Sequence, residues 1–76
     1  MIKITELEQT CFACPSQWDG TTDDGKCVEI YYRYDILTMR VEGERTYSES
    51  IGDDGLGGVM EEDEMKQHLS SIAEFS

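Results

Sequence analysis

Cys27-Val28-Glu29-Ile30-Tyr31-Tyr32-Arg33-Tyr34, continuing as Asp35-Ile36-Leu37-Thr38-Met39-Arg40-Val41-Glu42, is the stretch that decides the fold. Successive side chains of a strand point to opposite faces. Val28, Ile30, Tyr32 and Tyr34 therefore share one face, while Cys27, Glu29, Tyr31, Arg33 and Asp35 share the other. A tight connection near Asp35 and Ile36 leads into a second strand, where Leu37, Met39 and Val41 alternate with Thr38, Arg40 and Glu42. Each strand has one apolar and one charged face, the pattern of an antiparallel sheet with one side wet.

Working outward, Asp23-Asp24-Gly25-Lys26 predicts a hairpin, because Gly takes the positive φ that the turn requires. Ser16 to Thr22, with Trp18 at its centre, reads as the partner strand, and Pro15 ends any regular ladder before it. Ile2-Lys3-Ile4-Thr5 alternates as a short edge strand. Leu7, Phe12 and Ala13, between Glu6 and Cys14, fit either a helical turn or an irregular crossing. Past the turn at Gly43, Thr46 to Ile51 adds a further strand through Tyr47 and Ile51. Gly52-Asp53-Asp54-Gly55-Leu56-Gly57-Gly58 is a glycine-rich loop. Met65, Leu69 and Ile72 recur at helical spacing, predicting a helix from roughly Glu61 to Ala73 whose acidic start favours the positive end of the helix dipole. The expected architecture is α+β: an antiparallel meander of about 4–5 strands packed against one C-terminal α-helix, in a single domain spanning residues 1–76.

Composition narrows the function classes. Seventeen Asp and Glu stand against six Lys and Arg, a formal net charge of −11, yet 38% of residues are hydrophobic and fall into patterned segments. That separates the chain from a disordered acidic tail. No apolar run approaches the roughly 18 residues of a membrane span, and Met1 to Thr10 contains no secretory apolar region. Three cysteines are an odd number, which argues against a closed disulfide framework. A soluble cytoplasmic protein is expected.

Catalytic and metal motifs are weak. Cys11-Phe12-Ala13-Cys14 is a C-x-x-C that supplies half a tetrahedral zinc site, with Cys27 and His68 as the remaining ligands; no second close pair accompanies it. Small semi-buried cysteines beside Trp18 are the simpler reading, and a zinc-stapled interaction module is the alternative. Asp19 to Gly25 resembles a calcium loop, but the glycine and the twelfth-position ligand fall out of register. The glycines at 55, 57 and 58 lack the Lys-Ser or Lys-Thr of a phosphate loop. His68 has no base-orienting partner in sequence, so no enzyme and no cofactor are expected.

The carboxylates are distributed over turns, loop and helix start rather than in one block. Such surfaces repel within a Debye length of ~8–10 Å, a cost that solubility, adaptation to high salt, or a basic partner can offset. A nucleic-acid-binding surface, built to neutralise a phosphate about every 1.7 Å of duplex axis, suits that partner. The residues expected to meet it are Asp23, Asp24, Glu29, Asp35, Glu42 and Glu44 on turns and the exposed sheet face. Glu61, Glu62 and Glu64 at the helix start form a second surface.

Thr10-Cys11-Phe12-Ala13-Cys14-Pro15-Ser16-Gln17-Trp18-Asp19-Gly20, with Asp24-Gly25-Lys26 and Tyr31-Tyr32-Arg33-Tyr34, resembles small phage and mobile-element proteins that carry a Cys-Pro-Ser-Gln-Trp box before a Tyr-Arg-Tyr strand. This likeness covers about residues 5–41. In size, acidity and layout the chain also resembles phage anti-CRISPR proteins, some of which mimic DNA and occupy the basic groove of a surveillance complex. The second likeness is one of character and transfers no individual residue. It implies an inhibitor that binds a CRISPR effector complex subunit, without contacting nucleic acid or membrane itself, as a monomer or weak dimer.

Overall fold

The computed structural model describes residues 2–11, 16–51 and 60–75. Six strands and one helix follow in chain order: β1 (Ile2–Cys11), β2 (Ser16–Thr22), β3 (Cys27–Arg33), β4 (Ile36–Val41), β5 (Glu44–Ser50), α1 (Glu62–Leu69) and β6 (Ala73–Phe75). They form one sheet in the order β5-β4-β3-β2-β1-β6, antiparallel except where β6 runs parallel to β1. The α+β class and the antiparallel meander expected from the alternation are observed. The C-x-x-C residue Cys14, with Phe12, Ala13, Pro15 and the glycine-rich loop, lies outside the described residues.

The register explains the alternation. Trp18, Ile30, Met39 and Tyr47 are successive cross-strand neighbours on the inner face, and Trp18, Ile30 and Met39 are fully buried there. Met65 and Leu69 bring the helix onto the same face, beside Ile4, Leu37 and Ala73. Met60, just before the helix, donates its backbone N–H to the buried Ser16 Oγ at 3.0 Å and so ties the helix entry to the start of β2. Burying apolar surface at roughly 25 cal/mol per Å² is the main force holding helix to sheet.

Three expectations are revised. β1 is a ten-residue strand that continues through the segment without a clear period, because bulges between Ile4 and Glu6 and between Gln9 and Cys11 break its alternation. Nor is it an edge, since β6 pairs outside it. The helix ends at Leu69, four residues early. Ser70 donates its side-chain hydroxyl back to the Gln67 carbonyl at 2.8 Å, and the Ile72 carbonyl then accepts the Ile2 N–H at 3.0 Å, which starts β6.

The third revision concerns the β3–β4 turn. Tyr34 and Asp35 have φ of 54° and 59°, the two left-handed residues of a type I′ connection. That turn breaks the alternation: Tyr34 swings out to 60% exposed, and Asp35 turns in to 5%. There Asp35 Oδ1 accepts a hydrogen bond from Tyr32 Oη at 2.9 Å. Asp35, expected on the exposed charged face, is therefore a buried turn acceptor.

Two substitutions test this packing. Gly20→Ala places a methyl against the Glu6 carbonyl oxygen of the adjacent strand, a backbone atom that cannot move aside. A loss of about 1–3 kcal/mol is expected in urea unfolding. Asp35→Ala removes the acceptor from the buried Tyr32 hydroxyl and is expected to cost about 1–3 kcal/mol in the same assay.

Candidate functional site

The charged residues sort into three regions whose membership follows from register. On the outer face, Glu8, Asp19, Glu29, Arg40 and Arg45 are direct cross-strand neighbours in one row running from β1 to β5. With strands ~4.8 Å apart, three carboxylates and then two guanidinium groups succeed one another across the sheet. All three arginines of the chain, Arg33, Arg40 and Arg45, occupy this face on β3 to β5. Glu29, expected as an acidic contact, thus borders a basic half-sheet. The Arg33 guanidinium lies over the Tyr34 ring, 4.9 Å from its centroid, and donates to Tyr34 Oη at 3.3 Å.

The second region brings together four of the expected residues. Asp23 and Asp24 on the β2–β3 turn and Glu42 and Glu44 at the β4–β5 turn line one open cleft of ≈ 450 Å³, with Lys3 and Lys26. Ile2 of β1 and Val41 of β4 line it too, although two strands separate β1 from β4, so the sheet curls to close it. The turns are built for their residues: Gly25 and Gly43 have φ of 87° and 82°, which L side chains rarely adopt. Thr22 donates its hydroxyl to Asp24, and Lys26 Nζ stands 3.6 Å from Asp24 Oδ2. The Thr22 hydroxyl first, and the Lys26 charge after it, hold the Asp24 carboxyl below its usual range.

The third region is the helix start. Glu61 is the extended N-cap residue, and Glu62, Asp63 and Glu64 form an exposed first turn where the dipole favours them. Lys66 Nζ pairs with Glu62 at 3.3 Å. The His68 imidazole sits between two carboxylates, Nδ1 at 3.9 Å from Glu49 of β5 and Nε2 at 3.7 Å from Glu64. Tyr47 donates its hydroxyl to Glu49, and that bond, aided by burial, pushes the phenol up to about 12.

Among the described residues, the expected cysteine and histidine ligands are not gathered, and Cys14 lies outside them. Cys11 pairs with Gln17 and Cys27 with Thr21, which lie four residues apart along β2. That is ~13 Å along the strand, whereas two thiolates on one zinc lie within about 4.6 Å of each other. Among the described residues, no group of three or more His, Cys, Asp and Glu could hold a metal ion. No helix among them is long and apolar enough to cross a membrane.

Sequence reasoning missed the roles of Glu8 and Asp19, which line up on one side of Glu29 only because of the pairing register. A strand-by-strand alignment of the charged alternation would have been the signal. No protein-family model, curated protein or solved structure matches the chain.

The cleft is testable through Asp24. A depressed carboxyl stabilises the fold above its ordinary value of 3.8, and that contribution is lost as pH falls through the lower folded value. Thr22→Val is expected to return the Asp24 titration toward 3.8, read by NMR of the side-chain carboxyl.

Proposed function

We propose that the protein is a non-enzymatic inhibitor that binds a basic nucleic-acid-binding protein by imitating DNA charge. Its target in this reading is a CRISPR surveillance complex of the Cascade type, met in the cytoplasm of a phage-infected bacterium. The observation that carries the reading is the placement of the negative surplus. On the outer face, Glu6, Glu8, Asp19, Glu29 and Glu74 are largely offset by Arg33, Arg40 and Arg45, with Lys3 at the margin that this face shares with the cleft. Among the described residues, much of the remaining excess belongs to the cleft end, at Asp23, Asp24, Glu42 and Glu44, and to the helix start, at Glu61, Glu62 and Glu64. Ser16 beside the helix entry and Thr22 at the cleft are the two ends of β2, ~20 Å apart.

Two carboxylate groups held toward opposite ends of β2 on a rigid sheet can occupy Lys and Arg positions otherwise used for phosphates. Neutralising several cations on one partner also steers association and makes it salt-dependent.

The test is competition between the purified protein and a target duplex for a purified Cascade-type complex, followed by gel shift between ~0.05 and ~0.2 M salt. Displacement of the duplex that weakens as salt rises is expected. Glu42→Lys with Glu44→Lys, and separately Glu61→Lys with Glu62→Lys and Glu64→Lys, should each weaken competition about tenfold or more while the circular dichroism spectrum is retained. Undiminished competition after both sets of reversals, or none by the unaltered protein, would sink the reading.

A further inference from the structure

The convex outer face has the features of a self-complementary surface, and we propose that it docks a second copy of this chain about a two-fold axis. Three observations converge on it. The first is charge order. Along the row from β1 to β5, carboxylates at Glu8, Asp19 and Glu29 give way to guanidinium groups at Arg40 and Arg45. Like charges directly opposite one another destabilise a sheet, at Asp19 beside Glu29 and at Arg40 beside Arg45 alike. Contacts from outside that alternate the signs relieve both strains at once.

The second observation is where apolar surface is exposed. Among the described residues, the exposed large hydrophobics are Tyr34 at 60% and Ile36 at 39%, both at the β3–β4 turn. The third is the near balance of charge on this face. In a chain of net charge −11, it is the side on which two copies approach with least repulsion.

These features fix the axis. A two-fold axis lying in the interface, parallel to the strands and between β3 and β4, carries each cross-strand row onto itself in reverse order. Glu29 of one copy then meets Arg40 of the other, Asp19 meets Arg45, and symmetry repeats both pairs. Tyr31 falls opposite Thr38, and the Tyr34 and Ile36 side chains of both copies meet beside the axis. At ~0.15 M salt the Debye length of ~8 Å screens the acidic ends of the two copies from each other, while the short-range pairs persist. The surface is curved, so contact is closest along β3 and β4 and loosens toward the Asp19 and Arg45 pairs, and the dimer is weak.

The proposal is independent of the identity of any basic partner, and charge exchange tests it. Sedimentation at ~0.15 M salt should show the unaltered protein passing from monomer to dimer as concentration rises. Glu29→Arg alone and Arg40→Glu alone each place like charges together twice per dimer, and each should weaken dimerisation at least about tenfold. Mixed in equal amounts, the two variants present opposite charges at both contacts, and the mixture should dimerise again. Should either variant fold poorly by circular dichroism, Asp19→Arg and Arg45→Asp test the same axis. A protein monomeric at every concentration, a dimer indifferent to the single exchanges, or a mixture that stays monomeric overturns the proposal. A monomer throughout would leave the face to a heterologous partner.

Discussion

The pairing register of β3 with β2 and β4 is the constraint on which the rest of the structure depends. Because strand side chains repeat every two residues, a slip of one residue would carry Val28, Ile30 and Tyr32 into water and Glu29, Tyr31 and Arg33 into the core. The core selects against that slip, since Trp18, Ile30 and Met39 are buried only when they stand opposite one another. The short turns reinforce the choice. Tyr34-Asp35 and Glu42-Gly43 close their hairpins with two residues each, both at positive φ, leaving no slack for a shifted pairing.

Once register is set, electrostatics follows from geometry. The same pairing that buries the apolar rows lines up Glu8, Asp19 and Glu29 against Arg40 and Arg45 on the far face. It also sends Glu42 and Glu44 to the same end as Asp23 and Asp24. Among the described residues the charge is thus divided unequally: close to balanced on the convex sheet, and negative at the turns and the helix start. An undivided acidic shell would treat every cation alike. This division presents different chemistry to different approaches, one face able to match a charge pattern and the others able to match cations.

Asp35 shows how local geometry can overrule composition. A carboxylate after a tyrosine-rich strand reads as surface charge, but the left-handed turn rotates it inward to accept from Tyr32, and turns Tyr34 outward in exchange. Non-glycine residues at positive φ are uncommon, and Asp is among the few that tolerate it. The hydrogen bond to Tyr32 and the turn conformation support one another, so the two residues act as a single device that closes the hairpin.

The sequence by itself determined which residues of β3 and β4 alternate toward the core, the β2–β3 hairpin, and the helix that covers the sheet through Met65 and Leu69. These are short-range properties: alternation, turn chemistry and helical spacing are written in neighbouring residues. Only the tertiary structure decided the parallel strand β6, the continuation of β1 past its bulges, the burial of Asp35 and the separation of Cys11 from Cys27. It alone decided, too, that Asp23, Asp24, Glu42 and Glu44 share a cleft while Glu29 stands in a row with two arginines. The physical reason is that each depends on which strand lies beside which, and at what offset. That is a property of pairs of distant segments, set by core packing and carried by no single segment on its own.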